Sequence, residues 1–122
     1  MKIFRFDSQV GKYIDRYNSS GFVLARILHL FDEAAVNCAY LNSGGVIGYH
    51  QATIPQLFLV VQGEGWVRGE SPLETYIKAG QAAFWEKEEW HASGTETGMV
   101  AVIIESVNFD PAELMTPVKL KT

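Results

Sequence analysis

Apolar residues recur in short runs along the chain, and most runs end at a glycine, an asparagine or a group of polar residues. This pattern is typical of β-strands separated by turns. It predicts a short amino-terminal strand and further strands over 22–30, 34–41, 56–62, 66–68, 73–78, 81–85 and 98–107. Many short strands at close intervals indicate an all-β barrel or sandwich.

Two local features complete the predicted elements. Glycines supply the positive φ that tight turns need, so Gly63-Glu64-Gly65 predicts a hairpin between two strands. Only 110–115 has the pattern of a helix, with Asp110 in the N-cap position and Pro111 at the first helical position. The sequence therefore predicts an all-β fold with one short carboxyl-terminal helix.

Side chains on the strand that begins at Gln56 alternate between two faces. If Gln56 points into a barrel, Phe58 shares its face. The other face then carries Leu57, Leu59 and Val61. A solvated face would not carry three large aliphatic residues, so something must cover them. The cover is either the amino-terminal segment or a second subunit.

Composition narrows the class of protein. A length of 122 residues predicts a single domain. The ten basic and fourteen acidic residues leave a net charge of −4, which argues against nucleic acid as a partner. The single Cys38 cannot form an intramolecular disulfide. We find no leader-like segment and no apolar run of membrane-spanning length, so we expect a soluble cytoplasmic protein with no membrane contact.

A first glycine- and histidine-containing segment has Gly44, then His50, Gln56 and Gly63. Its spacing resembles the first signature motif of the cupin superfamily, which is Gly, five residues, His-x-His, three or four residues, Glu, six residues, Gly. In this chain Ala52 stands where the motif has its second histidine, and Gln56 stands where it has its glutamate.

A second segment runs from Gly80 to His91 and resembles the second cupin motif. Gly80 and His91 match that motif, whereas Glu86, Glu88 and Thr95 depart from it. The resemblance implies a double-stranded β-helix, the jelly-roll cupin barrel, as a single domain over residues 1–122. It also favours a homodimer, because cupins commonly pair through such sheets, and residues 1–30 would pack on the barrel or swap between subunits.

The resemblance also implies a site. Cupins hold a divalent metal with the motif histidines and the glutamate, so the corresponding ligands here are His50, Gln56 and His91. Imidazole ligands suit zinc, iron, nickel and copper, and manganese is a further candidate. A neutral amide is a weaker ligand than a carboxylate, so any metal should bind weakly. The alternative is that both histidines are neutral and bond to Gln56 and water.

Aromatic residues near the motifs are candidates for the wall of a ligand pocket. Phe58 shares the face of Gln56, and Trp90 precedes His91, so both join the predicted ligand-binding set of His50, Gln56 and His91. Phe84 and Trp85 are better explained as core packing.

Two functions remain. The first is a small-molecule-binding protein whose pocket is centred on His50, Gln56 and His91, with the metal optional. The alternative is a metal-dependent cupin enzyme of the dioxygenase or isomerase type that uses the same three residues as ligands. The sequence assigns no catalytic residue, because a fold alone does not define an activity.

Overall fold

The computed structural model describes residues 1–120, and 50% of the chain is in β-strands. Single 3-10 turns lie at Ser8–Val10, Arg16–Asn18 and Pro111–Glu113. The strands are β1 (Lys2–Arg5), β2 (Lys12–Tyr13), β3 (Val23–Leu24), β4 (Ala34–Leu41), β5 (Val46–Gln51), β6 (Gln56–Arg68), β7 (Thr75–Lys78), β8 (Gln81–Trp85), β9 (Trp90–Gly94), β10 (Met99–Ser106) and β11 (Thr116–Val118).

Nine of these strands are joined by antiparallel hydrogen bonding. One path of paired strands runs in the order β11-β1-β8-β6-β10-β4. Outside this path, β5 pairs with β9, and both β7 and β9 pair with the second half of β6. The first half of β6 pairs with β8 and its second half pairs with β7 and β9, so β6 links the two sides of the structure. The predicted all-β jelly-roll, a double-stranded β-helix, is confirmed.

The predicted hairpin at Gly63-Glu64-Gly65 is wrong, because these residues lie within β6, a single strand of 13 residues. Gly63 has a φ of 80°, and the register against β10 shifts so that Val61 is left without a partner. At Gly65, an added Cβ would collide with the carbonyl oxygen of Gly94. Gly63 lies at a β-bulge, and Gly65 allows another backbone to approach closely. Both situations favour glycine, as a tight turn does.

The predicted division of faces along β6 is confirmed. Phe58 and Val60 are buried in one cluster with Trp85, Ile77 and other interior residues. Leu57 and Leu59 are buried in a second cluster on the other face of the sheet. The face that carries Gln56 therefore points into the barrel.

The chain itself covers the outer leucines. Phe4 and Met115 join Leu57 and Leu59 in the second cluster, and residues 27, 28 and 109 pack against it. Only Val61 of the three outward aliphatic residues is exposed, at 48%. Burial of Leu57 and Leu59 thus gives no reason for a second subunit, and the homodimer stays a prediction.

Both ends of the chain are less regular than predicted. The strand expected over 22–30 is limited to Val23–Leu24, which pairs with β2. The expected helix at 110–115 is a single 3-10 turn, although the Asp110 carboxylate does accept a hydrogen bond from the Ala112 N–H at 3.0 Å. A longer helix has no room, because Met115 is buried and β11 begins at the next residue to pair with β1. Within residues 1–120 no helix is long and apolar enough to cross a membrane.

Candidate functional site

Two of the predicted site residues face each other across a pair of strands. His50 on β5 is the direct partner of His91 on β9, and their ring centroids lie 4.3 Å apart. His91 is only 2% exposed, whereas His50 is exposed. The two motif segments, 41 residues apart in sequence, are therefore brought together by strand pairing.

The hydrogen bonds of the two rings fix their tautomers. Nδ1 of His50 lies 2.6 Å from the carbonyl oxygen of Gly48, and Nδ1 of His91 lies 3.2 Å from that of Glu89. A carbonyl oxygen only accepts, so Nδ1 carries the hydrogen in each neutral ring and Nε2 keeps a free lone pair. Ring nitrogens of metal- and ligand-binding histidines are commonly oriented by such backbone carbonyls.

The buried end of the site holds two polar atoms without a partner among the described residues, Nε2 of His91 and Nε1 of Trp85. The Trp85 ring stacks on the His91 ring at 4.4 Å and an interplanar angle of 24°. Leaving a buried polar group unpaired costs about 1–3 kcal/mol. A bound molecule that offers a donor to His91 and an acceptor to Trp85 would recover this free energy.

His91 is held in its neutral form. Burial is the main reason that its pKa is lowered from the ordinary value of 6.5, and the neighbouring His50 lowers it further. The carbonyl of Glu89 and the charges of Glu89 and Glu105 act in the opposite direction without reversing the shift. At neutral pH the Nε2 of His91 is therefore an acceptor rather than a donor.

Gln56 completes the predicted set. It is the first residue of β6, it points into the barrel, and it contacts the two histidines. Its direct partners in the sheet are Trp85 on β8 and Glu105 on β10. The structure thus brings together all three residues that the motif spacing predicted.

Sequence reasoning missed Glu105. This residue opposes Gln56, so both side chains share the interior face, and its charge acts on His91. Alternation along β10 could have identified it, because Met99, Ala101 and Ile103 also pack inward. The site therefore contains a carboxylate, supplied by the strand next to Gln56.

The two predicted aromatic wall residues lie away from the imidazoles. Trp90 precedes His91 on a regular strand and so points to the opposite face, where it stacks on Tyr49 with centroids 5.4 Å apart. The Arg68 guanidinium lies 4.4 Å from the Tyr49 ring on that same face. Phe58 is buried behind Trp85, with ring centroids 6.0 Å apart. Trp85 belongs to the core as expected, and it also stacks on His91.

The donor set fits a divalent metal only in part. Two Nε2 lone pairs on adjacent rings are suitable ligands for zinc, iron, nickel or copper. However, no three His, Cys, Asp or Glu side chains in the part of the chain described here are grouped so as to hold a metal ion. Ala52 is buried and supplies no ligand, so the amide of Gln56 and water would have to complete the shell.

No protein-family model matches this sequence, and no curated protein matches it either. Solved structures do match. A cupin superfamily protein from Desulfitobacterium hafniense is 14% identical, with a TM-score of 0.58 over 74% of this chain and 82% of that one. An RmlC-like cupin from Shewanella frigidimarina is 21% identical, with a TM-score of 0.56 over 66% of this chain and 68% of that one.

A predicted oxalate decarboxylase from Thermotoga maritima is 20% identical, with a TM-score of 0.55 over 60% of this chain and 65% of that one. Similarity at these identities shows the fold. This chain has the fold of a small cupin domain, as its motif spacing predicted.

Proposed function

We propose that this chain binds a small molecule at the mouth of the barrel, through His50, Gln56 and His91, with a divalent metal optional. The observation that carries the proposal is the buried Nε2 of His91, which keeps a free lone pair and has no partner among the described residues. A purely structural histidine would be expected to have both ring nitrogens satisfied.

The polar groups of the site define the chemistry of the ligand. His91 and His50 offer acceptors, Trp85 offers one donor, and Gln56 offers both kinds of group. The carboxylate of Glu105 shares the interior face, so it disfavours an anion and favours a ligand with N–H or O–H donors. A small neutral or cationic molecule that carries hydroxyl, amide or amine groups fits this set.

His91→Phe tests the proposal, because the phenyl ring can still stack on Trp85 while Nε2 is lost. We expect small polyols, amides and amines that raise the melting temperature of the parent protein to lose this effect in the variant. The control is His29→Phe, which changes a histidine beside Phe31 and outside the site. Ligands that stabilise both variants as well as the parent would overturn the proposal.

The paired Nε2 atoms favour one second candidate, a metal-dependent enzyme of the dioxygenase or isomerase type. His50, His91 and Gln56 would hold the metal, which would supply Lewis acidity or oxygen activation when bound. Hydrogen bonds from Nδ1 to the carbonyls of Gly48 and Glu89 would keep both imidazoles aimed at it. Glu105, the sheet partner of Gln56, would add a carboxylate to the same face.

Elemental analysis of untagged protein separates the two candidates. Near-stoichiometric zinc, iron, nickel, manganese or copper that is lost in His91→Phe and kept in His29→Phe would favour the enzyme. Protein that stays free of metal after incubation with an excess of each ion would leave the binding protein as the better explanation.

A further inference from the structure

A cavity of about 320 Å³ lies between the amino-terminal segment and the turn that precedes β11. None of the barrel-mouth residues lines it. Its lining includes apolar side chains from both segments, among them Val10, Ile14, Leu24 and Met115. Concave, largely apolar walls with a few converging polar groups are typical of small-molecule sites.

The charged residues that line this cavity are all basic. Arg5, Lys12, Arg16 and Arg26 line it, and no aspartate or glutamate is among its lining residues. The whole chain has only ten basic residues and a net charge of −4. Four of the ten basic residues therefore line one cavity, although the molecule as a whole is negatively charged.

Most of this positive charge is not compensated. Arg5 is paired with Asp7 through two hydrogen bonds of 2.8 and 2.9 Å. Within residues 1–120 the carboxylates form no ion pair with Lys12, Arg16 or Arg26. Asp15 adjoins Arg16 in sequence but forms no ion pair with it. Three cations without a carboxylate partner in the described part of the chain thus line a cavity whose wall combines apolar and polar side chains.

Such an arrangement attracts anions for two reasons. Like charges around a concavity repel one another and concentrate the electrostatic potential inside it, so an anion relieves the repulsion. The planar guanidinium group also matches phosphate and carboxylate oxygens, to which it can donate two parallel hydrogen bonds. Arg16 and Arg26 supply two guanidinium groups without a carboxylate partner.

We propose that this cavity is a separate binding site for a small organic anion with two negative charges, of which a phosphate monoester is the simplest form. The anionic group bonds Arg16, Arg26 and Lys12, while the organic part rests on Val10 and Leu24. The site does not depend on the barrel mouth, whose carboxylate favours ligands of the opposite charge.

Isothermal titration calorimetry with phenyl phosphate at low ionic strength tests this site. We expect one molecule to bind per chain, and Arg16→Gln and Arg26→Gln each to weaken binding about tenfold, since each removes a charged hydrogen-bond donor. Lys87→Gln is the matched control, because it removes an exposed cation outside the cavity. Inorganic phosphate should bind more weakly than phenyl phosphate, because it cannot use the apolar wall.

Three results would overturn the site. They are no saturable binding at millimolar phenyl phosphate, equal weakening by Lys87→Gln, and unchanged binding in both arginine variants. Both arginines are exposed, so these substitutions should not disturb folding, which circular dichroism checks. His91→Phe should leave phenyl phosphate binding unchanged, so failure here is distinguishable from failure of the proposed barrel-mouth function.

Discussion

The two site histidines make the same backbone hydrogen bond but differ in their exposure to solvent. His91 is buried against Trp85, whereas His50 reaches the surface. Burial keeps His91 neutral, so its Nε2 is a fixed acceptor at the base of the site.

Gln56→Glu restores the residue of the cupin motif, but in this chain it places a second carboxylate directly opposite Glu105. Like charges on opposed residues repel, so we expect the melting temperature without metal to fall. A cation between the carboxylates removes the repulsion and gains a ligand. We therefore expect the affinity for Zn²⁺, measured by calorimetry, to rise at least about tenfold over the parent protein.

The control for this substitution is Gln62→Glu, on the same strand but exposed. It should change neither the melting temperature without metal nor the zinc affinity by much. If Gln56→Glu also leaves both quantities unchanged, Gln56 does not lie beside the ligand-binding atoms and its role in the site is wrong.

The contact among His50, Gln56 and His91 was predictable from the motif spacing, whereas their role in a site stays a prediction. Glu105 was not identified, because it ends an apolar strand whose inward face is evident only once the pairing with β6 is known. Trp90 adjoins His91 in sequence, yet strand alternation separates the two side chains. The role of Trp90 in a ligand wall stays a prediction, and it would have to be exerted from the face opposite His91.

Among the elements, β6 shows the limit of local sequence signals. Glycines at 63 and 65 are equally suited to a hairpin turn and to a bulge in a continuous strand. The choice depends on β9 and β10, whose backbones approach these glycines closely. The segments 34–41 and 81–85, by contrast, have the predicted bounds, because a polar turn or charged residues flank each apolar run.

Strand β4 lies at the edge of the main sheet. Its sequence, Ala34–Leu41, contains no charged residue and no proline. Val36 and Tyr40 on this strand are 61% and 76% exposed. Edge strands of this kind are normally protected by charge, by proline or by pairing with another strand. We therefore propose that β4 is the interface of the expected homodimer.

Replacing both Val36 and Tyr40 by lysine should convert the dimer into a monomer, because charges on an edge strand oppose pairing with a second copy. Light scattering during size-exclusion chromatography measures the change. The control replaces Leu73 and Tyr76, two other exposed residues, by lysine and should remain dimeric. A parent protein that is monomeric at high concentration, or a lysine variant that stays dimeric, would contradict this interface.

At the scale of the whole molecule, strand periodicity and motif spacing were enough to predict the jelly-roll. They named the amino-terminal segment as one of two candidate covers for its outer face, but they did not identify the carboxyl-terminal residues that share this role. The residues that cover Leu57 and Leu59 come from both ends of the chain, for example Ile27, Phe109 and Met115. Contacts between such distant segments have no local signature in the sequence.

Charge is also distributed unevenly over the molecule. The barrel mouth has the Glu105 carboxylate on the same face as Gln56 and a buried neutral His91, whereas the basic cavity at the amino-terminal segment has three cations without a carboxylate partner among residues 1–120. We infer that the two sites select ligands of different charge. A net charge of −4 gives no indication of this division.

The proposed function depends most on one property, that His91 presents a neutral ring with a free Nε2. Because its pKa is lowered below 6.5, His91 should be more than half neutral at pH 6.5 and gain most of its proton at lower pH. Its contribution to folding stability is then complete above pH 6.5 and decreases as the pH falls through the lowered value. Ligand binding through Nε2 should be lost over the same range.

Long-range ¹H–¹⁵N NMR of the histidine side chains, recorded as a function of pH, measures this property directly. Spectra of His91→Phe, His50→Phe and His29→Phe assign the signals. We predict that His91 has its hydrogen on Nδ1, a bare Nε2 at pH 7.5, and a midpoint below 6.5. A ring protonated on Nε2 at pH 7.5, or a midpoint above 6.5, would contradict the proposed site.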